Sequence, residues 1–129
     1  MRQITDHVVV GDTAPQLVIS VLDEPGQGGA NHQYSIRWNN ERDRTEPHCF
    51  IGFQNGPIKE HGVNGITQEA LLAIVIDRLR SFQAGPFASP ENEIALGHCQ
   101  EALYRLQART RARIAQGVEG TNQPHVAGA

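Results

Sequence analysis

The chain has 129 residues, enough for one domain or one small domain with an appendage and too few for two full-sized folds. With 11 Lys and Arg against 14 Asp and Glu it carries a net charge of −3, which disfavours a globally basic nucleic-acid coat protein and leaves any anion site a local matter. Hydrophobic residues make up 39% and the 13 glycines exceed the usual share of about 7%, a composition that points to turn-rich β structure.

The first 60 residues read as short apolar or alternating runs separated by turn residues. His7-Val8-Val9-Val10 ends at Gly11-Asp12, Gln16 to Leu22 ends at Asp23-Glu24-Pro25-Gly26, Gln33 to Trp38 runs into Asn39-Asn40, and Cys49 to Phe53 is closed by Asn55-Gly56-Pro57. β-Branched and aromatic residues with this punctuation predict antiparallel strands. No long helix interrupts them, which argues against parallel βαβ units.

After Asn64-Gly65 the period changes from strand to helix. Thr67 is placed to cap a helix and Glu69 complements its dipole, while Leu71, Leu72, Val75, Leu79 and Phe82 share a stripe, so a first helix is predicted at about 68–82. Gly85-Pro86 stops it. Ser89-Pro90-Glu91 restarts a helix in the favoured order of cap, proline and acid, and Ala95, Cys99, Ala102, Leu103, Leu106 and Ala115 carry it to Gly117. A helix over 90–116 is about 40 Å long, more than a small sheet covers, and its overhang calls for a second copy of the same hairpin.

The expected fold class is therefore α+β: a small antiparallel β part at 1–60, then an antiparallel α-helical hairpin at 61–121 that mediates oligomerisation, with a disordered tail at 122–129. No internal repeat is visible. The longest apolar run, Ala70 to Ile76, is too short for a bilayer, which takes about 20 residues. Met1 to Asp6 has no apolar segment of a secretory signal, and the distant pair Cys49 and Cys99 fits reduced thiols in a cytosol.

Four arginines, Arg105, Arg109, Arg111 and Arg113, fall between Ala102 and Gly117 with no acid among them, and 105, 109 and 113 share a helical face. One reading is a cationic helix C-terminus that aids solubility. The other is a phosphate clamp, since the guanidinium fork fits phosphate oxygens. Phe82 and Phe87 flank the interhelical turn with Gln83 between them and Asn92 one turn on. They either cap the hairpin core or make a slot in which a base stacks and an amide reads its edge. The glycine-rich stretch from Asp23 to His32 lacks the lysine and helix of a phosphate-binding loop, so it is a hairpin loop or a lid that brings Asn31 and His32 over a ligand. Six histidines and the pairs His48-Cys49 and His98-Cys99 fit no zinc spacing, and no nucleophile elbow or Cys-x-x-Cys occurs. These parts suit holding an anionic aromatic ligand more than breaking one. A phosphodiesterase or hydrolase of such ligands, and an arginine-faced nucleic-acid-binding module, are the alternatives.

The chain also resembles the phage Thoeris anti-defence sponge family. The resemblance rests on Asp23-Glu24-Pro25-Gly26-x-Gly28-Gly29-Ala30-Asn31-His32, Phe53 to Glu60, Gly62 to Thr67, Glu69 to Leu72, Asp77-Arg78-Leu79, Phe82-Gln83-x-Gly85, Glu91-Asn92, Ala95-Leu96, Glu101-Ala102-Leu103, Arg109-Thr110-x-x-Arg113 and Gly117 to Thr121. It covers roughly residues 20 to 121, and the hairpin is shared with phage anti-CBASS cyclic-nucleotide sponges. The resemblance implies a homo-oligomer, a hexamer built from dimers through the hairpins, acting in the host bacterial cytoplasm. It implies no catalysis, no cofactor, no metal, and no membrane or nucleic-acid partner. The ligand it implies is a cyclic ADP-ribose isomer made by TIR-domain enzymes, with CBASS cyclic di- or trinucleotides at a separate site. By the same resemblance Phe82 and Asn92, beside Gln83, stack on and read the base or ribose, and Arg109, Thr110 and Arg113 hold phosphate. Gln116 stands where relatives lead one to expect arginine, a departure that bears on the second site.

Overall fold

The computed structural model describes residues 1–12, 17–117 and 119. The fold is α+β, and the chain divides into two compact units, Met1–Gly56 with Val63–Ile66, and Pro57–Gly62 with the chain from Thr67 on.

The first unit is built on a four-stranded antiparallel sheet in which every strand pairs with its sequence neighbour: β1 (Arg2–Ile4), β2 (Val18–Val21), β3 (Gln33–Arg37) and β4 (His48–Gly52). The register sets Ile19 against Ile36 and Cys49, Ser20 against Ser35 and Phe50, and Val21 against Tyr34 and Ile51. Because side chains alternate across the pleat, Ile19, Val21, Tyr34, Ile36 and Ile51 share one face and Ser20, Ser35 and Phe50 the other. Val21 is fully buried, and Tyr34 meets Phe53 edge-on at 5.6 Å.

One strand expectation needs correction. Residues 7–10 form turns, with the Val8 N–H donating to Thr5 O (3.0 Å) and the Asp12 N–H to Val9 O (3.1 Å). The first strand is Arg2–Ile4, which lies against Ile19–Val21. Valine-rich composition makes a strand only where a neighbouring strand supplies a ladder, and β2 pairs with residues 2–4 instead. Gln16, expected to open the second strand, lies outside the described residues.

After β4 the chain closes back on itself. Phe53 and Ile66 form an isolated parallel bridge, in which the Gln54 N–H donates to Ile66 O and the Ile66 N–H to Gly52 O, both at 2.9 Å. Asn64 fastens the loop. Its Oδ1 accepts from the Asn55 N–H, its Nδ2 donates to Asn55 O, and its own N–H donates to Gln54 Oε1, at 2.8–2.9 Å. Gly65 lies so close to this strand that a Cβ there would come within 2.4 Å of the Phe53 carbonyl carbon.

The second unit contains α1 (Ile58–His61), α2 (Gln68–Gln83) and α3 (Pro90–Ala115). A single turn such as α1 is too short to show periodicity; Pro57 starts it and Gly62, at φ 70°, ends it. Thr67 Oγ1 caps α2 by accepting from the Ala70 N–H (3.2 Å), and Ser89 Oγ caps α3 by accepting from the Asn92 N–H (3.1 Å), with Pro90 following. α3 ends at Gly117, whose φ of 72° suits a glycine just past a helix C-terminus. The expectation for residues 122–129 lies outside the described residues.

α2 and α3 pack against each other across the short loop 84–89 as an antiparallel hairpin. Among the non-exposed positions, Glu69, Leu72, Ile76, Leu79 and Gln83 of α2 and Asn92, Leu96, Cys99, Leu103, Leu106, Thr110 and Arg113 of α3 form the facing rows, with Leu71, Ala108 and Ala112 half-buried beside them. Both follow the alternating three-and-four spacing of a coiled-coil seam. Ile76, rather than the expected Val75, is the buried residue of α2, and Leu96 that of α3. Ile74, Ile94, Tyr104 and Ile114 remain exposed. Among the described residues no helix is long and apolar enough to cross a membrane.

Candidate functional site

The seam of α3 is apolar in its middle and polar at both ends. Asn92 stands at the loop end, where Gln83 closes the seam of α2, and Thr110 and Arg113 stand at the far end. The sequence-predicted residues of the hairpin therefore fall into two groups. From Asn92 to Arg109 there are 17 positions, and at a rise of ~1.5 Å each the groups lie about 25 Å apart along α3.

The loop-end group is Phe82, Gln83 and Asn92. Phe82, the last aromatic of α2, keeps 40% of its surface exposed. The guanidinium of Arg78, one turn earlier, lies 5.5 Å from its ring centroid, a cation–π contact that leaves the remainder of the ring surface open. Gln83 staples the loop: its Nε2 donates to Ser89 O (3.2 Å) and Glu93 Oε2 (3.1 Å), and its Oε1 accepts from the Ser89 N–H (3.0 Å). Its carboxamide holds the turn rather than facing outward to read a ligand. The half-buried Asn92 side chain, by contrast, makes no hydrogen bond among the described residues, so its amide donors and carbonyl acceptor are available. Phe87 is mostly exposed.

The far-end group is Arg109, Thr110 and Arg113, and the four arginines there have different surroundings. Arg105 bonds Glu101 (2.9 Å), Arg111 lies 5.7 Å from the Tyr104 ring centroid, and Arg113 is 7% exposed with its Nε donating to Glu119 Oε2 (3.2 Å). Arg109 is exposed and forms no ion pair among the described residues. Pairing thus relieves the like-charge repulsion that a bare arginine stripe would suffer. Thr110 Oγ1 donates to Leu106 O (3.3 Å), a bond that engages the hydroxyl hydrogen within the helix.

Asn31 and His32 belong to the first unit, at the end of the glycine-rich connection. The connection is a bonded loop. Asn31 Nδ2 donates to Asp23 O (2.7 Å) and its Oδ1 accepts from Arg2 (3.0 Å), while the Asp23 carboxylate accepts the N–H groups of His32 (3.0 Å) and Gln33 (3.1 Å). Desolvation pushes the Asp23 carboxyl up, but the backbone donors of Gln33 and His32 outweigh it and hold it below the ordinary carboxylate range. The His32 ring is buried beneath Gly26, where a Cβ would meet its Nδ1 at 3.2 Å, and that Nδ1 has no hydrogen-bond partner among the described residues.

Sequence reasoning missed Arg78 and Glu119. The i, i+4 spacing of Arg78 and Phe82 was a usable signal; Glu119 lies beyond the helix end, where no period applies. Among the described residues no cluster of three metal-ligating side chains occurs.

Sheet and hairpin together define a class of small α+β proteins whose long, capped helical hairpin carries an open aromatic–amide group at one end and arginines at the other. The Acb2/Tad1 hairpin-domain model matches residues 45–111, from the approach to β4 through most of α3. Thoeris anti-defense 1 of Bacillus phage SBSphiJ7 is 39% identical over 117 residues, covering 91% of this chain and 78% of that protein. The chain belongs to the Acb2/Tad1 hairpin family.

Proposed function

We propose that the protein is a phage anti-defence sponge that binds a cyclic nucleotide immune signal and holds it without cleaving it. The name of its Bacillus phage relative points to the Thoeris system, and the ligand class is cyclic ADP-ribose isomers from TIR-domain enzymes, with CBASS cyclic di- or trinucleotides as a second class. The observation that carries this reading is the grouping along the hairpin: an open ring and a free amide at one end, an open guanidinium at the other. Phe82 stacks on the base and Asn92 reads the base or ribose, with Gln83 holding the loop that carries them. Arg109, Thr110 and Arg113 serve the phosphates, and Asn31 and His32 belong to the loop that borders the ligand.

Two groups about 25 Å apart in one chain do not meet on one small ligand. Self-association resolves this, because a second copy running the other way brings its arginine end to the loop end of the first. The exposed Ile74, Ile94, Tyr104 and Ile114 supply apolar surface for such packing, and the arrangement proposed is dimers assembled into a hexamer in the host cytoplasm. The energetics fit. Nanomolar capture needs about −12 kcal/mol; stacking contributes roughly 1–3 and each charge-assisted hydrogen bond about 1.5–3 before ordering costs. The hairpin groups, an arene, amides, guanidinium groups and a hydroxyl already donating to its own helix, are suited to holding such a ligand.

The test is to incubate the protein with a cyclic ADP-ribose isomer, remove the protein with its bound ligand, heat-denature it and analyse what is released by chromatography. Depletion followed by return of intact ligand supports the sponge. No depletion refutes it, and a linear product formed beyond one equivalent per subunit makes the protein a hydrolase.

A further inference from the structure

The sheet face away from Val21 has a feature that the hairpin reading leaves unused. Ser20 and Ser35 are directly opposed on β2 and β3, and each is more than nine-tenths buried. Neither hydroxyl has a hydrogen-bond partner among the described residues, although both line an open hollow of about 670 Å³. The two hydroxyl oxygens reach the solvent of the hollow, and each, donor and acceptor, offers it hydrogen-bonding capacity that no group among the described residues uses. The wall beside them is aromatic. His48 and Phe50 alternate on β4, their rings parallel within 5° at 5.6 Å, and Phe50 is 70% exposed. Arg37 stands at the rim. One of its nitrogens bonds Glu46 (2.6 Å), and its other donors form no hydrogen bond among the described residues. With Arg2 also on the rim, the two arginines outnumber Glu46 by one positive charge.

The geometry points to a second ligand site on this sheet face, for a small planar aromatic anion of the nucleoside monophosphate kind. The flat ring lies against Phe50 and His48, the polar edge or sugar hydroxyls pair with Ser20 and Ser35, and the anion meets Arg37. The volume falls in the range of about 300–1,000 Å³ that small-molecule sites occupy. A purely apolar ligand would leave the serines unsatisfied, and a bare anion would leave the aromatic wall unused. The site requires residues of the sheet unit alone, so it is separable from the hairpin groups.

Calorimetry on the full chain tests this with three probes: adenosine monophosphate, adenosine and inorganic phosphate. The monophosphate binds saturably, and each half alone binds about tenfold more weakly or worse. Phe50→Ala and the double variant Ser20→Ala/Ser35→Ala each weaken the monophosphate about tenfold or more, with melting temperatures close to the parent because Phe50 is exposed and the serine change is small. Phe82→Ala leaves monophosphate binding unchanged, and Phe50→Ala leaves uptake of cyclic ADP-ribose isomers unchanged. The proposal is overturned if the monophosphate gives no saturable heat, if phosphate alone binds as well, if folded Phe50→Ala binds like the parent, or if Phe82→Ala is the variant that abolishes the signal.

Discussion

Replacing Phe82 separates a binding ring from a packing ring. The side chain is 40% exposed and shares its face with the Arg78 guanidinium at 5.5 Å. Fully burying a phenylalanine is worth about 1.5–3 kcal/mol, and scaling by the buried fraction gives ~1–2 kcal/mol, to which the exposed cation–π contact adds ~0.5–1 kcal/mol. Phe82→Ala therefore costs roughly 1.5–3 kcal/mol of stability, a drop of several degrees in melting temperature that leaves the fold intact. A lost base stack costs ~1–3 kcal/mol of affinity, or about 5- to 150-fold in Kd. Phe82→Leu keeps most of the apolar bulk and loses the aromatic face, so its stability stays near the parent while its affinity falls like that of the alanine variant. The assay is calorimetry with a cyclic ADP-ribose isomer beside a thermal melt of each variant. If Phe82→Leu binds as tightly as the parent, the ring packs the hairpin end and does not stack on ligand.

In sedimentation the species should have a mass well above the 14.1 kDa of one chain; a monomer at micromolar concentration contradicts a pocket shared between copies. Arg109→Ala should weaken ligand binding about tenfold with an unchanged melt, because the residue is exposed and unpaired among the described residues. Arg113→Ala should also lower stability, by about 1 kcal/mol, since it removes a buried side chain whose ion-pair partner Glu119 is 39% exposed and stays solvated; equal melts for the two variants would contradict the burial. Gly65→Ala should cost about 3 kcal/mol or more, read by chemical denaturation, because backbone atoms at 2.4 Å from the new Cβ cannot rotate away. Asp23 has a carboxyl held below its ordinary 3.8, so its contribution is complete above about pH 4 and is lost as pH falls through the lower folded value. Asp23→Asn should flatten the stability profile below pH 4, and a profile as steep as the parent's would show that the loop carboxylate does not drive it.

The hairpin was legible in the sequence because its signals are local. Thr67, Ser89-Pro90 and Gly117 act within one turn of where they stand, and they bracket α2 and α3. Strands β2, β3 and β4 were legible from alternation and turn residues. β1 was not, since pairing chooses among candidate segments by register and three consecutive valines proved less suited than Arg2–Ile4. Within the site, the identity of the residues was readable but their division of labour was not. Arg113 and Arg109 look alike four positions apart, yet one lies in the seam and the other faces solvent. Gln83 looked like a reader of ligand, and the loop it bonds lies six residues on, beyond any helical period. The serine pair under Phe50 depended on the β2–β3 register, which single-strand patterns do not reveal.

The three hydrogen bonds of the Gln83 carboxamide have a thermodynamic consequence. The six-residue turn from Ala84 to Ser89, with Gly85 in it, would sample several shapes if left unbonded, and freezing it at the moment of capture would subtract from affinity. Here the crosslink is made during folding, one residue from Phe82 and three from Asn92. The ring and the amide keep their spacing in the empty protein, and under the proposed function a scarce messenger would meet a rigid jaw whose ordering entropy has already been spent.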